Sequence, residues 1–325
     1  MDEDLKAPLI SILVCSKGRR KSLEVLVSTL KQIKSSHFFE IVVVEETDSP
    51  QALEGTIYVP HPIKNRGIPY ARNLAMKYAR GEIVVFVDDD CSISDGWLDS
   101  LLEPFLEDPV VGVQGGVTIP NTSNAIGWTE SILGFPGGGI SRVMRAKGKN
   151  QITKEISTLN CAYRKWVIEK VGGFDENLTL GSEDFLLAKQ ACLHGRCLFV
   201  PNALVFHEAR GTLKKIWQWF VRRGRAEMRL VKLRKLEEIN LGSLLKGSIS
   251  FKTFLVLLAG ALFPGFFILI IFIALVLYFV VQLARYFGSW KLCNAPVMTI
   301  FLLPLVKLVM DLAMDWGRMK GFLFD

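Results

Sequence analysis

The chain has 325 residues, half of them hydrophobic, and a net charge of +7. That length accommodates one large catalytic domain and a smaller appendage, while a mean hydropathy of +0.30 is high for a protein that meets only water. The six cysteines (Cys15, Cys91, Cys161, Cys192, Cys197, Cys293) include no C-x-x-C pair, so neither a zinc site nor a disulfide framework is assigned, and they read as small buried hydrophobes.

Residues 1–6 are acidic and the apolar run 10–15 is too short for the core of a signal peptide, so the N-terminal domain is expected to stay in the cytoplasm. Residues 9–15, 39–44, 56–59 and 83–87 read as strands. Residues 22–34 and 68–79 read as helices, the second stopped by Gly81. Strands that are continuous apolar runs, alternating with helices, imply a parallel sheet covered on both faces, a Rossmann-like nucleotide-binding layout. In such sheets ligands lie beyond the carboxyl ends of the strands. Residues 112–160 are glycine-rich and less regular, and 135–139 (Phe-Pro-Gly-Gly-Gly) has the composition of a mobile loop, either a connector or a lid over substrate. Strands follow at 157–161, 198–200 and 203–207. Helices follow at 164–171 and 185–194, the latter opened by Glu183 and Asp184.

The strand at 83–87 ends in Asp88, Asp89 and Asp90. Adjacent carboxylates repel one another and stay ionised only when a cation or donor groups balance them. Mn2+ or Mg2+ suits this role, binding one or two carboxylates together with substrate phosphates. The plainer alternative is a solvated turn with capping aspartates.

The order of these features resembles family 2 glycosyltransferases of the GT-A fold over about residues 8–225. The likeness rests on 10–19 (ISILVCSKGR), 67–73 (GIPYARN), 81–90 (GEIVVFVDDD), 160–165 (NCAYRK) with 171–176 (VGGFDE), and 181–184 (GSED). The resemblance implies an α/β GT-A fold, a Rossmann-like sheet flanked by helices, with a C-terminal transmembrane helical region. It implies a nucleotide-sugar donor, UDP-sugar by default, and roles for individual residues. Asp88 and Asp90 would hold the metal, with His207 either a further ligand or structural. Asp88 or Asp89 would touch the donor ribose. Arg72 would hold the diphosphate, and Cys15, Lys17 and Arg19 would line the nucleobase site. Asp184 would be the general base, with Glu183 beside it. Where the family ends its second strand in Asp-Asp, this chain has Glu45-Glu46, assigned to the donor site; where the first loop commonly has Pro-Thr, this chain has Cys15-Ser16-Lys17.

Transfer from such a donor needs charge stabilisation on the leaving diphosphate, a base for the acceptor hydroxyl, and exclusion of water. A single acceptor-side base fits inversion at the anomeric carbon. A nucleotidyltransferase would carry a fuller glycine-rich phosphate loop than Gly18-Arg19-Arg20. A processive synthase would carry Q-x-x-R-W where this chain reads WQWFVRR at 217–223. The non-enzymatic alternative is a membrane scaffold or sugar-binding subunit with a degenerate transferase domain.

Residues 214–235 hold nine basic side chains and one acidic, Glu227. Interleaved with Trp217, Trp219 and Phe220, they read as an amphipathic interfacial helix, either an anchor or a guide toward a lipid phosphate. Adjacency to a membrane run argues against nucleic acid as a partner and places this segment on the cytoplasmic side. Residues 253–284 contain no charge, long enough to cross a bilayer, with Pro264-Gly265 marking a kink or a hairpin turn. A second apolar run covers 292–306. The expected division is a catalytic domain at 1–211 (donor half about 8–118, acceptor half about 119–211), an interfacial segment at 212–250, and a membrane region at 251–325 with two spans, 251–285 and 296–314. The expected location is the cell membrane, multi-pass, with the catalytic domain cytoplasmic and the acceptor a lipid-linked or other glycan.

Overall fold

The computed structural model describes residues 10–235 and 240–325. The expected strand start at residue 9, the rest of the acidic N-terminal stretch and residues 236–239 of the interfacial segment lie outside the described residues. The chain runs β1 (Ile10–Lys17), α1 (Arg20–Gln32), β2 (Phe39–Glu46), β3 (Ile57–His61), α2 (Ile68–Tyr78), β4 (Ile83–Val87), β5 (Cys91–Ile93), α3 (Trp97–Leu102), β6 (Val110–Thr118), α4 (Ala125–Ile132), α5 (Gly139–Ala146) and β7 (Gln151–Ile152). It continues through β8 (Asn160–Arg164), α6 (Lys165–Lys170), α7 (Glu183–Ala191), β9 (Arg196–His207), α8 (Leu213–Lys232), α9 (Leu241–Gly247), α10 (Ile249–Leu262), α11 (Phe267–Leu292) and α12 (Met298–Phe324). Two compact units emerge. The first draws its described residues from Met1–Pro120, Arg142–Thr179 and Glu183–Glu208, the second from Asn121–Ser141, Leu180–Ser182 and Ala209–Asp325.

The first unit is built on one nine-stranded sheet of order β3-β2-β1-β4-β8-β6-β9-β5, with β7 paired to β9. Successive side chains on a strand point to opposite faces, and both faces here are covered. Ile10, Ile12 and Val14 of β1 and Val85 of β4 join Leu23, Leu26, Val27 and Leu30 of α1. Those four helix positions form a single apolar stripe. Leu13 of β1, Val42 and Val44 of β2 and Phe86 of β4 pack on the other face against Ala71, Ala75 and Met76 of α2. This double burial is why the strands read as unbroken apolar runs.

The expectation of a parallel sheet is corrected in its second half. β1 to β4 pair in parallel, but β8 lies antiparallel between β4 and β6. Apolarity reports burial and carries no strand direction, so the inversion left no trace in the pattern. β6 was hidden for another reason: its glycines read as irregular backbone, yet all nine residues are buried. A Cβ at Gly115 would lie 2.3 Å from Asn160 Nδ2 and 2.5 Å from the Ala203 carbonyl oxygen. Glycine there permits close approach of neighbouring chain.

In the second unit α8 lies against α12. A Cβ on Gly224 would fall 2.2 Å from the Met314 carbonyl, and one on Gly317 2.2 Å from the Val221 carbonyl. The two backbones therefore meet directly, with Ile216 and Phe220 packing on Leu303, Val306, Met310 and Ala313. Arg318 of α12 pairs with Glu227 at 2.8 Å. The segment 135–139 joins α4 to α5 and is anchored by Phe135, whose ring lies 4.9 Å from Phe220 and 5.7 Å from Trp219.

Among the described residues one stretch, Pro264–Leu292, is long and apolar enough to cross a membrane. Its 29 residues at 1.5 Å each reach about 44 Å, more than a ~30 Å hydrocarbon core. No part of its most apolar stretch is buried, and the bent pair α9 and α10 qualifies only if the two count together as one span, with a 67° bend. The expected span boundaries shift accordingly. The run 251–285 is broken at Phe263 and Pro264, where the helix stops and restarts. The run 296–314 falls, from residue 298 on, in α12, which carries Lys307, Asp311 and Asp315 and buries Leu303, Val306 and Met310 against protein, so multi-pass topology gains no support from it.

At the sheet end where β1 and β2 begin, Glu40 accepts hydrogen bonds from Ser11 Oγ (2.6 Å), Arg80 N (2.7 Å) and Arg80 Nε (2.6 Å). Burial alone would raise its pKa, but these donors outweigh burial and hold it below the ordinary 4.5. A lowered carboxylate pKa contributes stability that is present above the unfolded-state value and is lost as pH falls through the folded-state value. Glu40→Gln is expected to cost about 1–2 kcal/mol at pH 7, the difference from wild type shrinking below pH ~4, as read by urea denaturation across that range.

Candidate active site

The sheet order brings β1 beside β4, so the loop after β1 and the Asp88–Asp90 turn after β4 meet at the same strand ends. Arg19 reaches across with one Nη on Asp89 Oδ1, at 2.6 Å, and the other hydrogen-bonded to Asp90 Oδ2. β5 follows the turn at once and pairs Cys91 with His207 at the end of β9. That pairing carries His207 Nε2 to 3.5 Å from Asp90 Oδ1. The expected neighbourhood of Asp88, Asp89, Asp90 and His207 therefore exists, assembled from strands that are distant in sequence.

The site is rich in charge and partly buried. Asp89 is buried, and burial pushes its carboxyl up to about 6, against the pull of Ser16 and Arg19. Burial likewise raises Asp88, opposed chiefly by Arg72. Among the described residues no three His, Cys, Asp or Glu side chains are gathered as a ready ion cage; guanidinium groups stand among the carboxylates instead. The donor set still fits a small hard cation. Asp90 Oδ1 is a buried atom with no hydrogen-bond partner and faces His207 Nε2, and carboxylate oxygens are the ligands that Mg2+ and Mn2+ favour.

α2 delivers Arg72. The helix starts at Gly67, held at φ +87° with Thr179 packed 3.1 Å from where a Cβ would sit. Arg72 Nη1 lies 2.5 Å from Glu183 Oε1, Nη2 lies 3.7 Å from Asp88 Oδ1, and the guanidinium stacks 5.5 Å above Phe174. Arg72 thus ties the end of β4 to the start of α7. Burial would lower its pKa, yet Glu183, Asp88 and Asp184 more than restore it, and the net shift is upward. Glu183 is raised, first by burial and then by Asp184. Asp184 is half-buried at the first turn of α7 and accepts a bond from the Phe185 amide through Oδ1 (2.8 Å). The turn before it is unusual: Gly181 and Ser182 both have positive φ.

The residues expected at the nucleobase end have protein partners. Glu45 accepts from Tyr58 Oη (2.6 Å) and Arg20 Nη1 (2.8 Å). Glu46 pairs with Lys17 (3.0 Å) and accepts from the Lys64 and Asn65 amides. Burial would raise Glu46, but these donors outweigh it and its pKa falls. The two glutamates therefore fix the walls of the loop. The Cys15 thiol is pushed up to about 12 by burial and is neutral.

Two residues went unassigned. Asn160, buried on β8, donates from Nδ2 to the Gly116 and Ala203 carbonyls (2.9 Å each) and accepts from Trp97 Nε1 (2.9 Å). Asn73, next to Arg72, bonds the Phe174 amide and carbonyl (2.9 and 2.8 Å). Its Oδ1 would lie 2.8 Å from a Cβ on Gly173. Both lie within the motifs at 67–73, 160–165 and 171–176, which was the available signal; their work is structural.

Residues 11–172 match Glycosyl transferase family 2. The chain carries a family 2 glycosyltransferase domain. Similar curated proteins include the O-antigen biosynthesis protein RfbC of Myxococcus xanthus, 29% identical over 62% of this chain and 17% of its own length. Others are the glucosyl-dolichyl phosphate glucuronosyltransferase of Haloferax volcanii, 23% identical over 56% of this chain and 61% of its length, and the pre-mycofactocin glycosyltransferase of Mycobacterium tuberculosis, 24% identical over 66% and 45%. The chain thus spans between 17% and 61% of these relatives. Among solved structures the fold is similar to a mannosyltransferase from Pyrobaculum calidifontis in complex with GDP-Man and Mn2+, with a TM-score of 0.56, 15% identity and coverage of 98% of this chain and 88% of that one. The GT-A-like fold of this domain is therefore shared.

Removing Arg72 would leave Glu183 and Asp88 buried without their main counter-ion. Arg72→Met is expected to cost about 3–5 kcal/mol, whereas Glu183→Gln, which keeps an acceptor for Arg72, should cost about 1 kcal/mol or less. Parallel urea titrations compare them.

Proposed function

We propose that this protein is a metal-dependent glycosyltransferase that moves a sugar from a nucleotide-diphosphate sugar to a membrane-associated acceptor. The observation that carries this is the convergence of Asp88, Asp90, His207, Arg19 and Arg72 at the end of β4 with Asp184 at the start of α7. Asp90, with Asp88 and His207, would hold Mn2+ or Mg2+, which when bound offsets the charge that develops on the leaving diphosphate. Arg72 is a fixed cation that acts in the same sense. Asp184 would accept the proton of the acceptor hydroxyl, and Glu183, engaged by Arg72, would hold the approach geometry. One base on the acceptor side supports in-line displacement with inversion. UDP-sugar is the default donor, and the GDP-Man bound by the Pyrobaculum enzyme makes GDP-sugars the second choice.

The acceptor reading rests on the second unit. The exposed apolar side chains of α11, among them Ile268, Phe272 and Val280, form a surface larger than water-soluble proteins leave uncovered. The basic side chains of α8 suit anionic head groups. Both favour a lipid-linked acceptor, a polyprenol-linked one in particular, at the cytoplasmic face.

The test is release of nucleoside diphosphate by purified full-length protein in detergent, supplied with Mn2+ or Mg2+ and a panel of UDP-, GDP- and dTDP-sugars. One donor should be hydrolysed slowly, with the activity abolished by chelator and at least 100-fold lower in Asp90→Ala. Asp184→Asn should lower transfer to supplied lipid acceptors by a similar factor while leaving donor affinity unchanged. Donor binding without turnover under every condition would instead favour a non-catalytic sugar-binding subunit.

A further inference from the structure

The two arginines of the site are not equivalent. Arg72 is buried, clamped by Glu183 and stacked on Phe174, so it has one position. Arg19 is 48% exposed and still pairs with both Asp89 and Asp90. It stands outside helix α1 (φ −123°, ψ 41°), directly after Gly18, whose Cβ position faces open space. Its carbonyl accepts from the Leu23 amide of α1 (3.1 Å), so the freedom lies in the side chain, which has solvent on one side. Asp89 by contrast is buried with no freedom to turn outward.

The charge arithmetic gives this arrangement a purpose. Three consecutive carboxylates need positive charge nearby at all times, yet a site that must receive a cation cannot be filled permanently by another. A releasable guanidinium meets both demands. We infer that Arg19 is a placeholder for the cation: it neutralises Asp89 and Asp90 while the donor site is empty and gives up Asp90 when the metal arrives. This rests on the donor-site reading above. A diphosphate entering with the metal offers the displaced guanidinium a bidentate partner, so metal and nucleotide assist each other's binding. Such coupling is reciprocal by thermodynamic necessity. Without the nucleotide the metal must break the Arg19–Asp90 pair with nothing to receive Arg19, and it binds weakly. The device keeps a carboxylate cluster from collecting divalent ions when there is no sugar donor to transfer.

The experiment is Mn2+ titration of the full chain in detergent, followed by the electron paramagnetic resonance signal of free Mn2+, with no nucleotide and then with UDP or GDP. Wild type should bind Mn2+ weakly alone and at least tenfold more tightly with the nucleotide. Arg19→Gln should bind Mn2+ alone at least tenfold more tightly than wild type, and the nucleotide should add little. Arg19→Lys, which can reach one carboxylate only, should fall between the two and guards against a folding defect in the first variant. Mn2+ should also raise the thermal midpoint of Arg19→Gln by more than that of wild type. Wild type showing nucleotide-assisted binding while both variants bind Mn2+ alone no better than wild type would overturn the placeholder and leave the donor site standing. Absence of Mn2+ binding in every protein, with and without UDP or GDP, would overturn both.

Discussion

Charge balance at the carboxyl end of β4 is the constraint on which the site depends. Asp88, Asp89 and Asp90 follow an apolar strand that is buried along its whole length, so their charges sit at the edge of a low-dielectric core. The fold answers with the guanidinium groups of Arg19 from β1's loop and Arg72 from α2, and the β5–β9 pairing sets His207 beside Asp90. None of these is near Asp88–Asp90 in sequence. Each element that supplies one must be in register for the cluster to be tolerable, and the site and the fold are to that extent one problem.

The strand runs at 9–15, 39–44 and 83–87 were legible because strands covered on both faces are largely apolar. The metal and base candidates were legible because Asp88–Asp90 and Glu183–Asp184 punctuate such runs at their ends. What stayed hidden was whatever depends on a partner distant in the chain. Gly112, Gly115 and Gly116 read as looseness, whereas two of them mark contacts with Asn160, Ala203 and Pro201 too tight for a side chain. Glu45 and Glu46 read as donor contacts, and the partners they have within the chain, Tyr58, Arg20, Lys17 and the 64–65 backbone, were not legible beside that reading. His207, read as either a metal ligand or structural, comes beside Asp90 only through β5, a strand of three residues.

The second unit shows how far hydropathy reaches. A charge-free run of 32 residues announces an apolar surface, and α11 carries it exposed. The break at Phe263-Pro264 follows from proline's missing amide hydrogen and fixed φ. The second run gave a different outcome because its helix buries apolar residues against α8 and α4 and pairs Lys307 with Asp311. Glycines at 224, 317 and 321 set that packing, a feature that hydropathy alone does not encode.

The central claim is that a nucleotide diphosphate and a divalent cation share the end of β4. Anomalous scattering at the manganese edge, from crystals grown with Mn2+ and UDP or GDP, tests it most directly. A single manganese peak bridging Asp90 and the diphosphate, with the nucleobase beside the Cys15–Arg19 loop, is the predicted result. Well-defined nucleotide density elsewhere on the chain, or a manganese peak away from Asp88–Asp90 and His207, would contradict it.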